Sequence, residues 1–394
     1  MRNKLILVPM ALAMMSVFFS CDKQDDTYAQ YVVKGGYNYP AKPAEVSARS
    51  GYYKVQVSWA VPRDPAVKSV RLYWDNYADS MSVDYASAVD GMVNALVDKL
   101  EERAYTFNVV NFDSNGNKSL SAEITISPYG DGWLSTHAER KVNSAMMKGD
   151  SALVSLGNPI DEMVLTKFRY KNNAGQLVES EPVPADSVRA WLPDALKGKY
   201  FEYQSAYCPN NGLDIVWSEN WIRVGMPILY NLASPDWAVD VTTKQYRDNS
   251  YLPDMMFDRD LETMYYSSTN TTIRRNFPKT VTVDTKMPDD KLPTVVSVNV
   301  IQHPDQSKSR YIKGVNVYVG DSPYDPNDSK YADNFGDPAG EFVLTQDDAE
   351  QLKNLKAPVS GRYYAIVFKS SYSTSGFISA YEFEFLGYVE SEAE

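Results

Sequence analysis

Residues 253–268 read PDMMFDRDLETMYYSS, an acidic turn that passes through Thr263 into two adjacent tyrosines. Asp and Thr in such a turn can bond their own backbone, or they can offer hard oxygens to a calcium ion. Tyr265 and Tyr266 are large enough to plug one end of a β-sandwich. Downstream, apolar residues recur at every second position. Val281 and Val283 alternate with Thr280 and Thr282, Val296, Val298 and Val300 alternate across SVNVI, and Val315, Val317 and Val319 across GVNVYVG. Phe383 and Phe385 alternate with Glu382 and Glu384, and RYYAIVF (Arg362 to Phe368) is a continuous β-branched and aromatic run. A period of two, punctuated by Pro, Gly, Asn and Asp, predicts short antiparallel strands with one buried face. Only Asp347 to Leu355 reads as helical. The expectation for this region is a sandwich or barrel.

These residues also carry a resemblance. FDRDLETMYYSS resembles the D-G-D-x-x-T-x-W-x-S turn of discoidin domains, also called coagulation factor 5/8 type C domains. FPKTVTVDT, YIKGVNVYVG, GRYYAIVF and YEFEFLGY are similar to four further strands of that family, in order, over Leu232 to Val389. Arg259 stands where Gly is usual, Tyr265 where Trp is usual, and Thr285-Lys286 replaces the Leu-Gly after the strand Asp. The resemblance implies a jelly-roll sandwich. In the discoidin-like carbohydrate-binding modules, sugars sit in loops at one end, on an aromatic platform flanked by His, Arg, Asn or acidic groups. Three loops here hold that mixture: Tyr246, Arg247 and Asn249 in KQYRDNSY; His303, Asp305 and Arg310 in QHPDQSKSRY; Tyr372 and Phe377 in SSYSTSGF. A pyranose offers an apolar face to a ring and hydroxyls to fixed charged or amide partners, which is why these residue types suit it. Asp258, Asp260 and Thr263, with Glu382 from the last strand, could hold one structural Ca²⁺. An Asp-capped turn without an ion is the alternative.

At the other end of the chain, Arg2 and Lys4 precede an apolar run from Leu5 to Phe19. That run is shorter than the ~20 residues a spanning helix needs. It closes at Phe18-Phe19-Ser20-Cys21, which resembles a bacterial lipoprotein signal cleaved before a lipidated Cys21; an ordinary secretory signal is the alternative. The acidic run of Asp22, Asp25 and Asp26 resembles the surface-export signal of Bacteroides-type lipoproteins. Residues 1–20 are thus expected to be a signal peptide and residues 21–39 a tether.

Residues 40–130 resemble a fibronectin type III domain. Val55, Val57 and Trp59 alternate in KVQVSW, VRLYW follows from Val70, and Leu100 and Tyr105 stand where that family locks the corner before its sixth strand. Residues 131–228 read as a diverged copy. RLYWDNYADSM from Arg71 aligns with KFRYKNNAGQL from Lys167, pairing Leu72 with Phe168 and Trp74 with Tyr170; later, Leu100 pairs with Leu196 and Tyr105 with Tyr200. Repeated spacing of strand and corner marks a duplicated unit. The fold expected is all-β: two fibronectin type III-like sandwiches followed by a discoidin-like domain over residues 229–394.

Composition narrows the function. A net charge of −12 over 394 residues argues against nucleic acid and against an anionic membrane surface, both of which attract Lys/Arg stripes. Two cysteines exclude a disulfide framework, and two histidines (His137 and His303) are too few for a His-built zinc site. No G-x-S-x-G elbow or H-E-x-x-H helix is present. The 51 acidic residues leave glycosidase-type carboxylate pairs open, but small sandwiches in tandem present binding loops rather than deep clefts, so no enzymatic function is expected. The 29 tyrosines suit either a β-rich core or a sugar-stacking surface. The expected function is non-catalytic glycan capture by an outer-membrane surface lipoprotein, beside a polysaccharide-uptake complex and touching the membrane only through its lipid. An adhesion or transport-complex protein without sugar affinity is the alternative.

Overall fold

In strand Lys54–Ala60 the side chains of Val55, Val57 and Trp59 are fully buried and their neighbours are not, the alternation the sequence predicts. The computed structural model describes residues 39–242, 246–268, 270, 276–302 and 308–393. These divide into two compact units, residues 39–134 with Pro209–Asp214, and Ser135–Cys208 with residues 215–393.

The first unit packs two sheets face to face. One joins Ser47–Gly51, Lys54–Ala60 and Met92–Val97 in that order; the other joins Asp79–Val83, Val67–Trp74, Tyr105–Asp113 and Ala122–Ile126. Between them lie Val55, Val57, Trp59, Leu72, Phe107 and Val109. At the corner, the Glu101 N–H donates to the Tyr105 hydroxyl at 3.0 Å while Leu100 and the Tyr105 ring are buried.

In the second unit the same strand order returns. Val142–Lys148, Ser151–Leu156 and Arg189–Pro193 form one sheet; Leu177–Glu179, Met163–Lys171, Glu202–Tyr207 and Val216–Trp217 form the other. Phe168, the repeat partner of Leu72, is likewise fully buried in its core. Both are fibronectin-like sandwiches. Cys208 is half-buried.

The C-terminal region of this unit is the discoidin-like sandwich. A four-stranded sheet (Tyr230–Asn231, Glu382–Val389, Pro293–Ile301, Glu350–Ser360) faces a five-stranded one (Ala238–Val241, Lys279–Asp284, Tyr363–Ser371, Ile312–Gly320, Gly340–Val343). Val281, Val283, Val315, Val317, Phe383 and Phe385 fill the space between, with Trp237 5.6 to 5.9 Å from the rings of Tyr364, Phe257 and Phe385.

Two expectations fail here for identifiable reasons. Val296 does not continue the Val298 and Val300 row, because a bulge between Val295 and Ser297 puts Val295 in the core instead. The bulge lies where Gly387 passes so close that a Cβ would sit 2.0 Å from the Thr294 carbonyl. The segment Asp347 to Leu355 is not helical; Glu350–Ser360 is a strand paired with Pro293–Ile301. Leu352 and Leu355 mimic a helical spacing, yet Leu355 is buried and Leu352 is 45% exposed, as a sheet edge requires.

Candidate functional site

Tyr265 and Tyr266 pair with Ala380 and Ser379 in a two-stranded ribbon at one end of the C-terminal sandwich. The ribbon continues one residue further: the Ser267 N–H donates to the Ile378 carbonyl (3.0 Å), and the Ile378 N–H donates to the Ser267 hydroxyl (2.9 Å). This fixes Phe377 beside Tyr266, their ring centres 5.7 Å apart. The Arg247 N–H donates to the Tyr266 carbonyl at 2.9 Å, tying the preceding loop to the same ribbon. The short 3-10 turn Lys308–Arg310 brings in a third loop just ahead of strand Ile312–Gly320.

Three chain segments therefore meet at one ring. The Arg247 guanidinium carbon lies 5.8 Å from the Tyr266 centroid and 4.8 Å from that of Tyr251; that of Arg310 lies 5.5 Å from Tyr266. Tyr251 and Tyr266 are 5.8 Å apart. Tyr266 is itself only 6% exposed, so it acts as a post that holds two cations, while Tyr251 and Phe377 are half-buried and leave surface for a ligand. A guanidinium resting on an aromatic face is pre-oriented and loses less freedom when it binds. Asp248 pairs with Arg247 at 3.5 Å. Such a site can stack an apolar sugar face and donate charge-assisted hydrogen bonds to its oxygens.

Of the residues singled out in the sequence, Arg247, Arg310 and Phe377 converge here. Tyr246 does not: it packs against the sandwich core. Tyr372 is a fastener, its hydroxyl donating to the Leu344 carbonyl (2.9 Å) and its N–H to that of Tyr311 (2.9 Å). Asn249 is exposed in the turn closed by the Tyr251 N–H and the Asp248 carbonyl (3.0 Å). His303, Asp305 and Cys21 lie outside the described residues.

A family described as a domain of unknown function (DUF4998) matches residues 21–215. A search of curated proteins finds no match. Similar solved structures include the family 32 carbohydrate-binding module of C. perfringens NanJ in complex with galactose, 12% identical over 40% of this chain and 99% of its own, at a TM-score of 0.32. A SusE-like protein is 8% identical over 88% of this chain and 97% of its own, at 0.32. A two-domain fibronectin type III segment of chicken tenascin is 14% identical over 46% of this chain and 99% of its own, at 0.21. At TM-scores this low the likenesses decide nothing about the site, which stands on its own geometry.

The acidic turn lies on the same sandwich. Asp258 accepts from the Asp260 N–H (2.9 Å) and from the Thr263 hydroxyl (2.8 Å), and Asp260 accepts from the Glu262 N–H (2.9 Å). The turn is thus closed by its own backbone. Glu382 is different: it is 2% exposed and neither carboxyl oxygen has a hydrogen-bond partner. Burial, then the neighbouring Asp258 carboxylate, pushes its pKa up to about 8. The two orphaned, buried oxygens of Glu382 facing the Asp258 carboxylate fit a cation, which Asp258 and Glu382 would hold while Thr263 and Asp260 shape the turn. Among the described residues, no three His, Cys, Asp or Glu side chains gather as a metal cluster, so backbone oxygens or water would complete the set. No helix among the described residues is long and apolar enough to cross a membrane.

Proposed function

We propose that this protein binds glycan without catalysis, through the loop end of its C-terminal discoidin-like domain. The observation that carries the reading is the convergence of Arg247 and Arg310 on Tyr266, flanked by half-buried Tyr251 and Phe377. The rings supply stacking surface, and the two anchored guanidiniums supply donors for hydroxyl or ring oxygens. In this reading Cys21 carries a lipid that holds the chain on the outer face of the outer membrane, the two fibronectin-like sandwiches act as a spacer, and many anchored copies turn weak single sites into avid capture. A Ca²⁺ held by Asp258 and Glu382 would pin the turn that leads into Tyr265 and Tyr266, a structural role rather than a chemical one.

The test is glycan-array binding by residues 22–394 and by the Arg310→Ala and Phe377→Ala variants. Binding by the parent and its loss in both folded variants is the expected result. A parent that binds no plant, host or microbial glycan, or variants that bind as well as the parent, would overturn the reading.

A further inference from the structure

In the first sandwich, Leu72, Phe107 and Val109 point into the core, so Tyr73, Thr106 and Asn108 lie on the outer face of the four-stranded sheet. Register sets Tyr73 beside Asn108 and Asn108 beside Glu123, one row across three strands. The hairpin that joins Val67–Trp74 to Asp79–Val83 reaches back to this row. At its tip the Tyr77 hydroxyl donates to Asn108 Oδ1 (3.2 Å), and the Tyr77 ring lies 5.1 Å from that of Tyr73.

Asp75, Tyr77, Arg103, Thr106, Asn108 and Glu123 line a hollow of about 360 Å³. The turn that forms one wall is strained. Asp75, Asn76 and Tyr77 are all left-handed, with φ of 52°, 55° and 67°. The hairpin between Met163–Lys171 and Leu177–Glu179 in the second sandwich turns with one left-handed residue, Gly175. A left-handed tyrosine is an outlier, and this one is held although its ring stands outside the core and is 52% exposed. Strain of this kind clusters at binding sites.

The floor of the hollow is held as firmly as its wall. Asn108 is 6% exposed, and its Oδ1 accepts from the Tyr77 and Ser121 hydroxyls at 3.2 and 2.9 Å. These two bonds occupy the oxygen's lone pairs and fix the amide plane. Nδ2 is therefore a held donor, and among the described residues nothing accepts from it. The lining carries two carboxylates, Asp75 and Glu123, against one cation, Arg103. Arg103 pairs with Asp75 (3.2 Å) and Glu101 (3.3 Å) and rests 4.0 Å over the Tyr105 ring, while Glu123 is exposed.

We propose that this hollow is a second carbohydrate subsite, for a single neutral sugar residue. The exposed Tyr77 ring offers apolar surface to the sugar, Asn108 Nδ2 donates to one of its oxygens, and Asp75 and Glu123 accept from its hydroxyls. A hydroxyl both donates and accepts, which an amide donor beside two carboxylates satisfies. An acidic sugar would instead meet two charges of its own sign. At about 360 Å³ the hollow is near the small end of ligand pockets, roughly 300–1,000 Å³, so it takes one residue rather than a length of chain. None of its residues belongs to the Tyr266 loop site, so it stands or falls separately from that reading.

The experiment is a saturation-transfer NMR titration of residues 22–394, in the parent and in an Arg310→Ala background that silences the loop site. The probes are the methyl glycosides of galactose, glucose, mannose and fucose, with methyl galacturonide and methyl glucuronide as the acids. In the Arg310→Ala background at least one neutral glycoside should bind, about tenfold or more tightly than either acid. Tyr77→Gly should abolish that binding and still fold, because glycine adopts a positive φ without strain. Glu123→Gln, at an exposed position, should lower affinity about tenfold as a charged acceptor becomes a neutral one. Binding that survives Tyr77→Gly, affinity untouched by Glu123→Gln, or an acid that binds as well as the neutral sugars would each overturn the proposal. Sugar bound by the parent but not in the Arg310→Ala background would overturn it and leave the loop site standing; no binding by either chain would overturn it too.

Discussion

The corner of the first sandwich at Glu101 is locked by Tyr105. Its hydroxyl accepts from the Glu101 N–H at 3.0 Å, and Arg103 lies 4.0 Å over its ring. Removing the hydroxyl leaves that N–H without its partner while the ring stays buried. Tyr105→Phe should therefore destabilise the first sandwich by about 1 kcal/mol, the usual net value of one such bond. Tyr200→Phe, at a half-exposed ring, should change stability by less than half of that. Urea unfolding of the two variants checks this, and equal losses would mean that the Glu101 bond contributes nothing measurable.

Tyr266 makes a sharper prediction about binding. It contacts both arginines of the loop site but is too buried to present its own face to a ligand. Tyr266→Leu would keep apolar bulk and remove the quadrupole that holds the guanidiniums. Each cation–π contact contributes about 0.5–2 kcal/mol. Glycan affinity should fall by roughly tenfold while the melting temperature changes little, and Tyr266→Phe should retain affinity. If Leu and Phe behave alike, the arginines are held by something other than the ring.

The strands were legible because a buried sheet face imposes a period of two on the sequence, and Val281, Val315 and Phe383 follow it. The failures came where backbone geometry broke that period: the Val295–Ser297 bulge shifted one row by a residue, and the spacing of Leu352 and Leu355 imitated a helix. For the loop site, residue type pointed to Arg247, Arg310 and Phe377, but not to their common partner. Tyr266 reads as a plug, and only tertiary contact with Arg247, 19 residues before it, and Arg310, 44 residues after it, shows it as a post. Tyr246 and Tyr372 carried the same aromatic signal and serve core and strand end instead.

The facing pair of Asp258 and Glu382 predicts a calcium response. A ligand that binds only the folded chain stabilises it by about 2.7 kcal/mol at a hundredfold excess over Kd. Calcium should raise the melting temperature of the C-terminal domain by several degrees, and a chelator should reverse it. Asp258→Asn and Glu382→Gln should each abolish the response, whereas Glu262→Gln, an exposed neighbour whose side chain is not part of the pair, should keep it. Identical melting with calcium and with chelator would leave the turn as a self-capped one.

Lys279 sets a pH dependence of known sign. It is fully buried at the start of strand Lys279–Asp284, donates to the Asn276 carbonyl at 2.9 Å and lies 4.7 Å from the Phe277 ring. Burial pushes its pKa down from 10.5 to about 8. A lysine whose folded pKa is depressed favours its charged form in the unfolded chain. Its stabilising contribution is therefore complete above about 10.5 and is lost as pH falls through about 8. Lys279→Met removes the titrating group and keeps an apolar stem in the same space. Relative to this variant, the parent should gain on the order of 1–3 kcal/mol between about pH 7 and pH 10. Denaturant unfolding of both chains across that window measures the difference directly, and a flat difference would mean that the ammonium stays charged inside the fold.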